Sequence, residues 1–261
     1  MECATSLMAG RGTLWLLALA LARALATERA YNVNSVRRAY ETWLASGPFD
    51  CGMATRRGIN GNPDPSTQAN GALMRISPLG IFGANHETSA VEEWARLDAS
   101  ITHPHPVCGD CNALFAGVLS HIVKTGGNPF QVYEYLVASS DRLAVCRDVR
   151  NVVARSAVGP PRDYVAKQGW VPLRSVMLYI SCFTLPQSKR QLSTLSCAVA
   201  TPIRMCGALV GAVYGIESLP ERWVTTVLNC RPDRGNARVR QPRPRDYWPV
   251  DVLELAESLA S

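Results

Sequence analysis

An all-α fold follows from three features of the chain. Apolar residues recur at helical spacing along most of its length, strand-like alternation is scarce, and turn residues do not fall at hairpin intervals. The 261 residues are 47% apolar and only 18% charged, which supports a sizeable core and excludes wholesale disorder.

The elements are read in chain order. Leu14–Ala22 is a run of Leu, Ala and Trp that imitates a signal peptide, with Arg11 before it and Ala24-Leu25-Ala26 after it. Arg23 interrupts the run and the helical pattern continues past it, so a buried first helix is expected, with secretion as the alternative. Val36, Ala39, Tyr40, Trp43 and Leu44 stand at i, i+3, i+4, i+7 and i+8 behind an Asn34 or Ser35 cap. Val91, Trp94, Ala95 and Ile101 mark a helix starting near Ser89 and ending before the His-Pro-His-Pro turn at 103–106. Ala113, Leu114, Gly117 and Ile122 carry the next, stopped by Gly126-Gly127. Asn128-Pro129 then opens a helix with Phe130, Tyr133, Leu136 and Val137 on one face, since Pro fits a first turn. Further helices are expected at about 170–184, 203–215 and 220–229, with a loop at Pro160-Pro161.

Charge is concentrated at one end. Lys plus Arg number 27 against 21 Asp plus Glu, and six of the Arg lie at 231, 234, 238, 240, 243 and 245. The excess is local, which argues against a specific nucleic-acid protein and for at most a weak contact with anionic surfaces. Arg231–Pro249 reads as a solvated linker, followed by a short helix in which Asp251 and Glu254 have capping-box spacing. The chain is thus divided into a helical domain over 1–228, a basic linker over 229–249 and a terminal helix over 250–261. No apolar run reaches the length of a membrane span, so no membrane partner is expected. Nine Cys, an odd number scattered from Cys3 to Cys230, fit free thiols in a reducing compartment, and a cytoplasmic location is expected.

Three motifs carry chemistry. His103, His105, Cys108 and Cys111 form a short H-x-H-x-x-C-x-x-C cluster, which is too compact for a usual zinc knuckle; its plainer reading is two thiols at a helix start. In Asn70-Gly71-Ala72-Leu73-Met74-Arg75, Gly71 permits a close backbone approach to a ligand and Arg75 adds a cation. Small residues at 207, 208, 211 and 212 allow a close helix–helix approach.

Taken together and in order, these segments resemble the ADP-ribosylglycohydrolase family over roughly residues 12–228. Its N-G-x-x-M-R-x-x-P-L-G element is matched by Asn70, Gly71, Met74, Arg75, Pro78, Leu79 and Gly80. Its Thr-His turn is matched by Thr102-His103, and its late G-A-L-x-G-A-x-Y-G…P-x-x-W by Gly207 to Trp223. Ala18–Leu25 and Tyr40-x-x-Trp43 also fit. The resemblance implies a compact single-domain helical bundle with two Mg²⁺ ions beside the ribose of a bound ADP-ribosyl group, hydrolysing its glycosidic bond. It also implies ADP-ribose or an ADP-ribosylated protein as partner, held through Asn70, Gly71, Met74, Arg75 and His103.

Two positions depart from the family. Its metal carboxylates come from a Thr-Asp-Asp-Thr-Glu before the first A-L-A-L helix and an Asp-x-Asp-Thr before the G-A-L-x-G-A helix. Here those slots hold Gly12-Thr13-Leu14-Trp15-Leu16 and Ala198-Val199-Ala200-Thr201, where Ala198 and Ala200 stand at the aspartate positions and only Thr201 keeps an oxygen. A further acidic residue near an opening Gly-Asp-x-x-Gly turn has no counterpart in the sequence as given. The expectation is a catalytically impaired pseudoenzyme that binds no magnesium tightly and at most holds ADP-ribose. A misread version of an active hydrolase and a deliberate inactivation are the other accounts. A non-catalytic scaffold or interaction protein is the alternative function.

Overall fold

The computed structural model describes residues 13–48, 50–143, 145–156, 200–235, 239 and 241–261. The expected loop at 160–161, the helix at about 170–184 and Ala198 lie outside the described residues. Among the described residues there are helices and no strands, as the periodicity predicts.

Helix α1 (Thr13–Glu28) is built of Leu and Ala, strong helix formers, and buries Leu16, Leu17, Leu19, Leu21 and Leu25. The run that imitates a signal peptide is therefore core helix here. Helix α2 (Val33–Ala45) faces it with Val36, Tyr40 and Trp43 buried. Its cap is Asn32, two residues earlier than expected: the Asn32 side chain accepts from the N–H groups of Asn34 and Ser35 at 3.0 and 3.2 Å. Ser35 is already helical, and its hydroxyl donates to Glu28 instead.

Short helices α3 (Met53–Ile59) and α4 (Ser77–Phe82) bracket the 60–76 loop, and a 3₁₀ turn (Gly83–Asn85) leads into α5 (Thr88–Thr102). Helix α6 (Pro106–Thr125) is the axis of the fold, with α4, α5, α7 (Pro129–Arg142), α8 (Arg147–Ser156) and α9 (Ala200–Tyr214) packed on it. It is long and apolar enough to cross a membrane by length and composition, but most of it is buried in the core, as expected of a helix apolar on every side. It starts at Pro106, ahead of the apolar positions that mark it in the sequence: His105 Nδ1 accepts from Val107 N–H at 3.2 Å and Pro106 occupies the first helical position. Asn128 and Gln131 form a full capping box at the head of α7, as Asn128-Pro129 predicts.

Of the small residues of α9, Ala208 and Ala212 pack against the core beside the buried Leu209 and Val210, and among the described residues nothing lies within 4 Å of a Cβ placed on Gly207 or Gly211.

After α10 (Glu221–Leu228) the chain returns to its beginning and ends in α11 (Val252–Ala260), which packs on α1 and α4. The expected solvated linker is tied down over 241–249. Arg243 is buried and donates to Ser46 O and Oγ at 3.0 and 2.7 Å, and Tyr247 is buried in the core. Arg23 fastens the same segment: Nε donates to Asp246 O at 2.8 Å, and both Nη atoms reach the Asp251 carboxylate at 2.7 and 2.9 Å. Asp251 consequently does not close a capping box with Glu254; its side chain caps nothing.

Arg23→Met should loosen the tail without unfolding the bundle. Hydrogen exchange is expected to quicken across 241–260 and stay unchanged in α6, with a global loss of about 1 kcal/mol because the pair is partly solvated. Unchanged exchange in the tail would show that apolar packing of Tyr247 and Leu259 holds it alone.

Candidate functional site

The loop between α3 and α4 meets the α5–α6 junction at the candidate site. Two glycines make the meeting possible. A Cβ on Gly58 of α3 would lie 2.4 Å from Thr102 Cα, so only hydrogen there lets α3 press on the end of α5. A Cβ on Gly71 would lie 2.7 Å from Thr55 Oγ1 and 2.9 Å from His103 Cε1, so the Asn70-Gly71 turn rests directly on the imidazole. Asn70, Gly71, Met74, Arg75 and His103 are all buried and close in the fold.

Arg75 organises the group from within. Its guanidinium is 0% exposed. Nε donates to Asp98 Oδ1 at 2.9 Å and Tyr40 Oη at 3.0 Å, Nη1 to Thr102 Oγ1 at 2.8 Å, and Nη2 to the Asp98 carbonyl at 2.8 Å. Tyr40 Oη in turn donates to Asp98 Oδ2 at 2.6 Å. The expected ligand contact from Arg75 gives way to internal pairing: every donor group is committed to protein, and the residue acts through its neighbours. Burial, followed by the Asp98 charge, pushes the Tyr40 phenol well above its ordinary range, so it stays protonated.

His103 ends this chain of contacts. Its Nδ1 is 2.7 Å from Thr102 Oγ1, while its Nε2 is buried and has no hydrogen-bond partner among the described residues. Burial, with a smaller effect from Arg75, brings the imidazole down to about 3. The ring is neutral at physiological pH.

Cys108 and Cys111 lie in the first turns of α6, as the plainer reading of that motif expects, and the zinc alternative does not assemble among the described residues. His105 caps α6 and meets Gln68 at 3.2 Å, while Cys108 Sγ donates to the carbonyls of Thr67 and Ala69 at 3.7 and 3.6 Å. Burial pushes the Cys108 thiol up to about 12, so it remains a protonated thiol. Among the described residues no three His, Cys, Asp or Glu side chains converge on a metal-sized space. Of the positions that stand for the metal carboxylates, Leu16 is in the core and Trp15 is half-buried against it. Thr201 is the second residue of α9 and its side chain lies outside the described residues, as does Ala198.

Sequence reasoning missed Asp98 and the polar part played by Tyr40. Asp98 had a signal: it lies seven residues after Val91 and three after Ala95, on the apolar face of α5, where a carboxylate needs a buried partner.

Two outcomes follow. Arg75→Met should cost about 3–5 kcal/mol, since it leaves Asp98 charged and unpaired in the core, and urea unfolding measures this. His103 contributes an acid limb. Its folded value lies below the ordinary 6.5, so the unfolded chain binds more protons between about 6.5 and 3. Stability from this group is present above pH 6.5 and is lost at up to about 1.4 kcal/mol per pH unit as pH falls through that window. Urea midpoints taken at several pH values should show a shallower acid limb in His103→Gln.

Comparison with known proteins agrees with this architecture. The family profile ADP-ribosylglycohydrolase matches residues 15–257, which takes in the C-terminal tail. The ADP-ribosyl-[dinitrogen reductase] glycohydrolase of Rhodospirillum rubrum is 25% identical over 218 residues, covering 80% of this chain and 70% of that protein. The ADP-ribosylarginine hydrolase Tri1 of Pseudomonas putida (strain GB-1) is 26% identical over 197 residues, and the match spans about half of its length (49%). A solved ADP-ribosylglycohydrolase-related protein complex superposes with a TM-score of 0.71 at 21% identity, covering 94% of this chain and 78% of the other, and shares the fold. With nearly all of its length matched by the family profile, the chain belongs to the ADP-ribosylglycohydrolase family.

Proposed function

We propose that this chain holds ADP-ribose, or a protein carrying it, without the metal-assisted hydrolysis expected of active relatives. The observation that carries the reading is a contrast between two halves of one site. The Asn70-Gly71 turn is seated on His103 with a buried, unpartnered Nε2, yet the first turns of α1 and α9 contain no acidic residue. Two Mg²⁺ ions require several carboxylate oxygens, and Leu16, Trp15 and Ala200 offer none. The donor set does not fit the ions, so no step of a reaction is routed through them. What the chain keeps is binding chemistry: the backbone of the close-packed Asn70-Gly71 turn and the neutral imidazole beneath it suit the oxygens of a ribosyl pyrophosphate.

Calorimetric titration with ADP-ribose tests this. Binding is expected to survive EDTA unchanged and to weaken about tenfold or more, some 1.4 kcal/mol, in Asn70→Ala and His103→Ala. Two tight Mg²⁺ sites, or binding abolished by EDTA, would return the chain to the magnesium-dependent enzymes. No binding at all would favour a scaffold.

A second reading is favoured by residues 200–205 themselves, Ala-Thr-Pro-Ile-Arg-Met. Suppose the codons of Ala200 and Pro202 end in G, that of Ile203 ends in A, and Arg204 is a CGN codon. The frame one base earlier then spells Asp-x-Asp-Thr just before Cys206-Gly207-Ala208-Leu209. On this reading the late carboxylates belong to the gene and a frame change removed them. Sequencing the coding DNA over these codons decides it: any other third base at 200, 202 or 203 rules the reading out.

A further inference from the structure

Thr102 stands between a permanent cation and a neutral imidazole, and its single hydroxyl hydrogen settles which imidazole nitrogen is protonated. Oγ1 accepts from Arg75 Nη1 at 2.8 Å. The Thr102 hydrogen therefore needs an acceptor of its own, and the acceptor beside it is His103 Nδ1 at 2.7 Å. If Nδ1 carried the proton, Oγ1 would face two donors and its own hydrogen would be left without a partner in a buried place. The direction of donation runs from Arg75 through Thr102 to Nδ1, and the ring proton is left on Nε2.

We propose that Thr102 and Arg75 are positioning residues that fix His103 as an Nε2–H donor, directed at an acceptor oxygen of the ligand. The inference rests on the ligand-binding reading given above and adds the sense of the contact: His103 gives a hydrogen bond and does not take one. A ligand atom satisfied there is a phosphate, hydroxyl or carbonyl oxygen, never an N–H or a cation. With Nε2 already protonated, His103 is not a general base at that nitrogen.

The surroundings support this assignment. Asp98 fixes the Arg75 plane through Oδ1 at 2.9 Å and its own carbonyl at 2.8 Å, and Tyr40 Oη completes the cage. Arg75 cannot turn to release Thr102 without leaving buried donors unpaired. Ring orientation is constrained on the far side as well, since Gly71 lets the turn lie against Cε1 and Nε2. His103 Nε2 is itself buried with no partner among the described residues, which leaves its hydrogen-bonding capacity for a ligand atom.

The test uses the full chain labelled with ¹⁵N, without ligand, and long-range ¹H–¹⁵N correlation of the imidazole nitrogens at neutral pH. Only four His are present, and His103→Gln assigns the signal. His103 in the parent should show a protonated Nε2 and an unprotonated Nδ1. Thr102→Ser should keep that pattern, while Thr102→Val should move it toward the other tautomer or a mixture. ADP-ribose affinity should fall about tenfold in Thr102→Val and recover in Thr102→Ser. A parent ring protonated on Nδ1, or a tautomer unmoved by Thr102→Val in a chain that still folds by circular dichroism, overturns the proposal. Should Thr102→Val fail to fold, the parent and Thr102→Ser spectra decide on their own. The expected tautomer together with no ADP-ribose binding in any variant leaves the relay standing and overturns the ligand-binding reading instead.

Discussion

The Arg75 guanidinium is closed off from water, and a cation in that position has to find all its partners in the protein. It draws them from two pieces of chain, Tyr40 from α2 and Asp98 and Thr102 from the last turns of α5, and so ties both to its own place at the end of the 60–76 loop. Helices that would otherwise be held by non-directional apolar contact are thereby fixed in rotation and register. The ring of Tyr40 also lies under the guanidinium, 4.6 Å from its carbon, which adds a cation–π contact to the hydrogen bonds. Displacing any one piece leaves a charge or a buried donor without a partner. His103 inherits its place from this arrangement, which makes the site and the core one construction.

The site keeps two kinds of chemistry apart. One half is made of hydrogen-bond donors and close-packed glycine, and it depends on backbone geometry that the core enforces. The other half, where the resemblance would place carboxylates, involves only side chains at the starts of α1 and α9. Neither α1 nor α9 has an acidic residue in its first turn, so neither needs one to form. The fold therefore stands without carboxylates at these two helix starts, whereas it depends on the hydrogen at Gly71 and on the buried Arg75.

Much of the architecture is legible in the residues, and the exceptions share a cause. The apolar spacing in α2, the Gly126 stop after α6 and the Asn128-Pro129 start of α7 are local signals, and each is realised locally. The start of α6 depends on one ring nitrogen of His105 accepting from Val107, which spacing does not encode. The tail is the larger case. Arg and Pro between 231 and 249 have the composition of a solvated linker, yet Arg243 and Tyr247 are buried because Ser46 and α1 are there to receive them. At the site, Asn70, Gly71, Arg75 and His103 were identifiable from their motifs. The direction of Arg75, inward to Asp98 rather than outward to a ligand, required the partner's position in space.

The clasp between Arg23 and Asp251 bridges 228 positions of sequence. Synthesis runs from the N-terminal side, so α1 leaves the ribosome long before the residues that complete its polar edge. Until 251–260 has followed, the Arg23 guanidinium lacks the Asp251 carboxylate, and the face of α1 that α11 covers is open to any other apolar surface. A product truncated before Asp251 would keep α6 in place and leave α1 half-covered, so quality control would meet it at that first helix.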